Sequence, residues 1–548
     1  MPLETPARIV GELTSRGYNA EREAVTLLAN ATDSATAIER TLETIPDDAL
    51  VITTDHVRSA VGEPTEPEEG TAEPTAVDGA ADGPPSTTSP ASQDPSVSSG
   101  TEPRSSTDSG GTTPVETGGS SAAEAAVDSS SESGTDRAGA GAASRDPTRQ
   151  ALDIVAELEY STGTGELSDF VSVFRDRYER LSSKLRGRVN HRPTDTLDAM
   201  SGGSEAAIVG VVSDIRSTAS GHWLIELEDT NGVFPCLVMK DRDIADLVDE
   251  LLFDEVIAVE GTLADDGGIL FVDALYFPDI PRTHQPSTAD REVSAALVSD
   301  VHVGSQEFMA DAWGRFTDWL HTAEGESVEY LLLAGDMVEG VGVYPDQDEE
   351  LDIVDIYDQY EQFSEHLKEV PGDVEIVMIP GNHDAVRLAE PQPAFDEELR
   401  AIMSAHDARI ASNPATVDVE GVSILMYHGV SLDEVIAELP DEKASYDEPH
   451  EAMYQLLKKR HVAPQFGGHT RLAPEAEDFL VIDEPPDVFH AGHVHKFGYG
   501  KYHNVLTINS GCWQAQTAFQ ESVNIDPDTA MAPIVDLSTL DLTIRKFA

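Results

Sequence analysis

Lysine is scarce in this 548-residue sequence: nine lysines stand beside 26 arginines, and these basic residues face 102 acidic ones, for a formal charge of −67. In dilute buffer that charge repels nucleic acid, membrane headgroups and acidic substrates, so a polyanionic partner needs a local reason to bind. At molar salt the Debye length falls to about 3 Å, and a heavily acidic surface then costs little self-repulsion while staying hydrated. The balance therefore reads as a halophilic adaptation to high intracellular salt. Cysteine is almost absent; Cys236 and Cys512 are too few for a disulfide framework or a thiolate metal site, which suits a reducing compartment. No apolar run approaches the roughly eighteen residues of a membrane span, and Met1-Pro2-Leu3-Glu4 has neither the basic nor the apolar region of a signal peptide. A cytoplasmic protein with no membrane partner is expected.

Between Val61 and Ala151 there is no Leu, Ile, Met, Phe, Tyr or Trp. Such a stretch cannot bury enough apolar surface to offset its chain entropy, so residues 61–146 are expected to be a disordered acidic linker. Before it, Ile9, Val10 and Leu13, then Val25, Leu27 and Leu28, then Ile38, Leu42 and Ile45 are spaced as three short amphipathic helices. Residues 1–60 thus read as a helical mini-domain on a tether, either a docking module or a marginal bundle with no partner. Residues 147–200 read as a helical segment in which Phe170, Phe174, Tyr178, Leu181 and Leu185 recur at helical spacing among Arg175, Arg177, Arg180, Lys184, Arg186, Arg188 and Arg192. This basic stretch either meets phosphate or an acidic partner, or is a solvated face whose long stems cover core.

Residues 201–284 read as β: runs at 207–212, 222–228, 233–238, 255–263 and 269–277 are divided by turn signals, with a helical stretch at 244–252. Five strands with a helix in that place match an OB-fold barrel. Trp223 and Phe234 are its few aromatic candidates for stacking on a nucleic acid strand, and both are equally suited to its core. Over 285–548, apolar runs at 293–299, 330–334, 374–379, 422–427, 488–491 and 505–508 alternate with helical stretches, as in a sheet covered on both faces.

Polar residues recur at the ends of those runs: Asp300-Val301-His302, Gly335-Asp336, Gly381-Asn382-His383-Asp384, Tyr427-His428-Gly429 and Gly492-His493-Val494-His495. In extended chain, positions i and i+2 point to one side, so Asp300 and His302 are expected to converge on one ion. Five strand ends offering carboxylate, amide and imidazole beside a glycine predict a dinuclear metal site, with Asp336 as the natural bridge. Core roles suit His321, His366, His406 and His450, while His461, His469, His490 and His503 stay undecided.

The order D-x-H, GD, GNHD, HG, GHxH resembles the calcineurin-like metallophosphoesterases, a fold of two sheets flanked by helices. The strings from Gly381 to Phe395, Val341 to Pro345 and Cys512 to Thr517 are similar to those of the small subunits of archaeal family-D DNA polymerases. That resemblance implies an α/β two-sheet phosphoesterase sandwich preceded by an OB-fold barrel and, on its linker, the small helical domain. It implies Asp300, His302, Asp336 and His495 around one metal and Asp336, Asn382, His428 and His493 around the other. It gives His383 the role of contacting phosphate and protonating the leaving oxygen, with Asp384 as its orienting acid. Glu339 stands where many members carry Asp. Mn²⁺ suits the O and N ligands well, and Zn²⁺, Fe²⁺ or Mg²⁺ are compatible.

The implied function is a 3′→5′ proofreading exonuclease that releases 5′-mononucleotides from a DNA primer 3′ end and is a scaffold for a large catalytic subunit. Other replication factors are possible partners of residues 1–60. Arg387 and Arg471 are candidate phosphate contacts, with an ion pair to a nearby carboxylate as the alternative for each. A catalytically silent assembly subunit and a stand-alone repair nuclease or phosphoesterase are the competing readings.

Overall fold

The computed structural model describes residues 151–548 except 159, 198, 345–346, 469 and 523–524, together with 19–20, 24, 27–28, 34–44, 51–52, 54–61, 126–127 and 145. The helix expected around Ile9, Val10 and Leu13, most of the expected linker, and His469 lie outside the described residues. The chain divides into two compact units, Met1–Pro114 and Val115–Ala548.

In the first unit, β1 (Asn19–Ala20) pairs in parallel with β2 (Val51–Ile52), and two helices follow the strands, α1 (Ser34–Thr44) and α2 (Thr54–Val61). Ala24, Leu28, Ala37, Ile38, Ile52 and Val57 are buried. The helix expected around Ile38 and Leu42 is α1, while Val51-Ile52, within the expected helical mini-domain, is used as a short strand.

The second unit opens with β3 (Ala126–Val127), β4 (Leu152–Ala156), α3 (Leu167–Arg186) and the single turn α4 (Thr194–Leu197). Strands β5 (Glu205–Ser217), β6 (Trp223–Asp229), β7 (Gly232–Val238), β8 (Val256–Leu263) and β9 (Leu270–Tyr276) close a barrel in the order β5-β6-β7-β9-β8. The helical stretch between β7 and β8 is a 3₁₀ helix, Asp243–Glu250. Phe234 is buried in the barrel core and Trp223 packs against it, which leaves neither as an open stacking surface.

The remaining elements are β10 (Ser294–Val298), α5 (Ala310–Leu320), β11 (Val328–Ala334), α6 (Ile356–Leu367), β12 (Glu375–Ile379), α7 (Glu397–Ile402) and β13 (Arg409–Ile410). They continue with β14 (Ala415–Val419), β15 (Val422–Met426), α8 (Ser431–Glu438), α9 (Pro449–Lys459), β16 (Val488–Ala491), β17 (Phe497–Tyr502), β18 (Val505–Ser510), α10 (Ala518–Ser522), β19 (Met531–Asp536) and β20 (Asp541–Lys546). They build a seven-stranded sheet, β13-β12-β11-β10-β19-β20-β3, and a six-stranded one, β17-β18-β16-β15-β14-β4.

Alternation along each strand explains the layering. Ala295 and Leu297 of β10 face a core shared with Ile424 and Met426 of β15 and Val488 of β16. Ala296 and Val298 face the other way, onto Trp313 and Phe316 of α5 and Tyr360 and Phe363 of α6. The six-stranded sheet is covered on its outer face by Leu432 and Val435 of α8 and Met453, Leu456 and Leu457 of α9. Strands buried on both faces read as continuous apolar runs, which is the pattern in the sequence.

Three corrections concern the connecting segments. Residues 152–156, expected to be helical, form an edge strand antiparallel to β14. Within the expected linker, Ala126–Val127 pairs with β20, and Arg145 is buried with its guanidinium donating to the carbonyls of Leu320, Gly325 and Val328. The basic stretch is turned inward in part: Arg177, fully buried, pairs with Asp478 at 2.7 Å, Arg180 donates to the Asp478 carbonyl, Lys184 to that of Asp483, and Arg188 to those of Phe277 and Pro278, while Arg175, Arg186 and Arg192 are exposed. Its charge ties α3 to the sandwich, and Tyr178, Leu181 and Leu185 of the same helix pack on Val209, Val256 and Ala258 of the barrel.

Candidate metal centre

β10, β11 and β12 are parallel neighbours in one sheet, and β15 and β16 are parallel neighbours in the other. Parallel strands deliver their C-terminal ends to one edge, so the five loops that follow them meet there. Backbone bonds lock the loops together: Asp300 N donates to Gly335 O, Gly492 N to His428 O, and Trp513 N to Asp300 O. The glycines beside the polar residues are needed for close approach. A Cβ on Gly381 would overlap Asp336 Oδ1, and one on Gly492 would overlap Asp300 Oδ2 and Ser299 Oγ.

The convergence of Asp300 and His302 does not come from extended chain, which corrects the expectation. Asp300 (φ 53°), His302 (56°), Asp336 (51°), His493 (72°) and His495 (54°) all adopt left-handed backbone. Such conformations cost of order 1–3 kcal/mol each in non-glycine residues and persist only where the surroundings enforce them. Each residue is swung by its own turn, so the side chains aim inward without strand alternation.

Three groups of ligand atoms result, each with its members within 4.8 Å of one another: Asp300, His302 and His495, then Asp336, His428 and His493, and beside them His302, Glu339 and His383. In the first, His302 Nε2 lies 3.0 Å from His495 Nε2 and 3.9 Å from Asp300 Oδ1, and His495 Nε2 lies 3.5 Å from Asp300 Oδ1. In the second, His428 Nε2 lies 3.2 Å from Asp336 Oδ2 and 2.9 Å from Asn382 Oδ1, while its Nδ1–H donates to Ala334 O. Asp336 Oδ2 is also 3.8 Å from His302 Nε2, so one carboxylate faces both of these groups. Asp300, His302, Asp336, His428 and His495 are buried. Buried carboxylates and imidazole nitrogens converging at these distances could hold divalent metal.

Surrounding residues orient this set. Glu339 Oε2 lies 2.9 Å from His302 Nδ1 and accepts from Gln514 Nε2 at 2.7 Å. Burial opposes ionisation of Glu339, yet the adjoining His302 holds its carboxyl at about 2. Asp433 Oδ2 sits 3.0 Å from His493 Nε2, and Gln520 Nε2 3.0 Å from His495 Nδ1. Neither Asp433 nor Gln520 belongs to the motifs read in the sequence. The signal for Asp433 was its place on the helix that begins directly after His428-Gly429.

His383 is half-buried at the mouth of the group, its backbone N–H on Asp336 Oδ1 and its Nδ1–H on Glu339 O, both at 2.8 Å. Asp384 does not orient it, which corrects the expected role. The Asp384 carboxyl instead accepts from Gly381 N and Tyr360 OH and so shapes the loop, and burial beside Asp336 raises it to about 7. Arg387 takes the ion-pair alternative: it pairs with Glu475 at 2.6 Å and donates to the carbonyls of Ala389 and Pro391. Arg471 is exposed. Among the undecided histidines, His461 pairs with Asp478, His490 bonds to Ser510 in the core and His503 to Ile280 O, all apart from the group.

The group opens on a cleft of about 280 Å³ lined also by Val343, Tyr344, Tyr446 and Phe519.

Comparison with known proteins places this arrangement in a family. The sequence model for DNA polymerase alpha/epsilon B-subunits matches residues 295–498, the span from β10 to β17 that carries every ligand-type residue above. The DNA polymerase II small subunit of Halobacterium salinarum is 64% identical over 549 residues, covering 100% of both chains. That of Archaeoglobus fulgidus is 42% identical over 386 residues, covering 69% of this chain and 77% of its own. That of Methanocaldococcus jannaschii is 37% identical over 389 residues, covering 69% and 65%. The chain therefore belongs to the family of archaeal DNA polymerase II small subunits, the family-D polymerases.

Proposed function

We propose that this chain is a metal-dependent 3′→5′ exonuclease that removes nucleotides from a DNA primer 3′ end for a large catalytic subunit, to which it also gives a scaffold. The observation that carries the reading is the pair of ligand groups sharing Asp336. Asp300, His302, Asp336 and His495 would hold one divalent cation, and Asp336, Asn382, His428 and His493 the other, with Mn²⁺ the best suited. When bound, such a pair lowers the pKa of water and neutralises charge on the phosphate.

The protein's own groups supply the rest. With Nδ1 held by the Glu339 carbonyl, His383 keeps Nε2 for the substrate. Water attacks the last phosphorus and gives up a proton to solvent, the bond from phosphorus to the penultimate 3′ oxygen breaks, and His383 delivers a proton from Nε2 to that oxygen and regains one from solvent, a contribution typically worth 10²–10⁴-fold. The product is a 5′-mononucleotide. Glu339 fixes His302, and Asp433 and Gln520 fix His493 and His495. Arg471 is the remaining candidate for a phosphate contact. On this reading residues 201–284 are an OB-fold that faces the partner subunit, 285–548 the phosphoesterase domain, and residues 1–60 a tethered adaptor for another replication factor.

The test is Mn²⁺-dependent degradation of a primer with a mismatched 3′ end in molar KCl, with and without the large subunit. Wild type is expected to release 5′-mononucleotides and Asp336→Ala none. His383→Ala is expected to retain metal, measured by elemental analysis, and lose cleavage. No cleavage by wild type even with the large subunit would leave an assembly subunit as the better account.

A further inference from the structure

Tyr344 and Phe519 lie far apart in sequence, yet their rings stack with centroids 4.9 Å apart and planes 21° apart. Both line the cleft onto which Asp336 and His383 open, and the Tyr344 ring centre is 6.4 Å from that of His383. Phe519 is 44% exposed, which leaves part of its ring open to a ligand. The pair is held in place from both sides. The Tyr344 hydroxyl lies 3.1 Å from both Glu339 Oε1 and Glu350 Oε2 and donates to one at a time. Phe519 rides on α10, whose Gln520 reaches His495.

Charge bears on which side a strand can use. The pair also adjoins a second cleft lined by Glu307, Glu349 and Glu350, which repel phosphate with no histidine beside them, whereas on the other side Asp336, Glu339 and Asp433 stand among His302, His383, His493 and His495, where the proposed cations would offset their charge. A nucleobase presents an uncharged π-face, and stacking on an aromatic ring binds it without cations and without regard to sequence. Resting on the exonuclease reading above, we propose that Phe519, backed by Tyr344, is a stacking platform for the terminal base of the strand whose last phosphodiester lies beside Asp336 and His383.

The experiment uses the full chain with its large subunit in molar KCl and primers ending in 2-aminopurine or in an abasic nucleotide. It compares wild type with Phe519→Ala, with Phe519→Leu, which keeps apolar bulk without a π-face, and with Phe519→Trp. Both non-aromatic variants are expected to raise KM on the base-bearing end by about 5- to 150-fold with kcat much less affected, and Trp to restore it. On the abasic end the difference from wild type should shrink below about twofold. In EDTA, which stops turnover, wild type should quench 2-aminopurine fluorescence and the Leu variant should not. An unchanged KM in Phe519→Leu, equal losses on both ends, or equal quenching overturns the platform. Absence of release by wild type overturns the exonuclease reading instead, and the fluorescence comparison still decides whether Phe519 stacks.

Discussion

Glu339 shows how much one side chain near the cluster controls. Its two oxygens take bonds from Gln514, Gln347 and Tyr344 while one of them faces His302 Nδ1. A carboxylate in that position sets the tautomer and basicity of the imidazole it supports, so Glu339→Gln is expected to weaken metal affinity about 10–100-fold with the fold intact, as read by titration calorimetry with Mn²⁺. Gly492 acts through space it leaves empty. Gly492→Ala would press a methyl group onto Asp300 and Ser299, and loss of metal uptake in a folded variant checks this. At this scale the sequence was informative about residue type and adjacency: a carboxylate, amide or imidazole stood at each of five strand ends, beside a glycine at four of them. It was silent about the left-handed turns at Asp300, His302, Asp336, His493 and His495, because Asp and His, though enriched at positive φ, adopt it in only a small minority of their positions. Nor did it reveal that Arg387 belongs to Glu475, a partner 88 positions away.

Helix α3 is an example of an element whose periodicity was legible and whose partners were not. The spacing of Tyr178, Leu181 and Leu185 marks a helix, but Arg177 meets Asp478 across 301 positions. Both side chains are buried, and His461 completes the group at 3.0 Å from the same oxygen. Breaking a buried pair leaves an uncompensated charge, so Arg177→Met is expected to cost about 3–5 kcal/mol in denaturant unfolding. The same group sets a pH dependence. Burial and then Arg177 hold His461 at about 4, below its unfolded value near 6.5. The folded state then binds this proton less readily than the unfolded state, so the contribution is complete above pH ~6.5 and falls as pH drops toward 4, by about 3 kcal/mol. Asp478, which Arg177 holds low despite burial, extends the loss to more acid pH. Denaturant melts from pH 7.5 to 4 in constant salt check the sign. Strands β10, β11, β12, β15 and β16 were readable because burial on both faces leaves an unbroken apolar run. Strand β4 was not, since its five residues gain their pairing only at the sheet edge beside β14.

Taken whole, the molecule carries a charge of −67, and its stability should follow salt. The melting temperature is expected to rise steadily from 0.1 to 2 M KCl as self-repulsion is screened, measured by scanning calorimetry. Where the chain is cut should also matter. Removing residues 1–114 takes away one compact unit and is expected to leave the unfolding of the other unchanged. Removing residues 1–146 also takes Arg145 from the carbonyls of Leu320, Gly325 and Val328, at a cost of about 2 kcal/mol or more. Comparing the two truncations by thermal melting reads the loss of Arg145 together with that of strand β3, and Arg145→Ala in the 1–114 deletion isolates the residue. The order of strands in the larger sheet has a consequence for timing. Strand β10, which leads into Asp300 and His302, has β19 as a neighbour, and β19 is made more than 230 residues later. During synthesis the sheet stays open beside β10 until Met531–Asp536 have left the ribosome, so a nascent chain has every ligand-type residue before it has the frame that aims them. Translation itself delays the moment at which the candidate metal centre can exist.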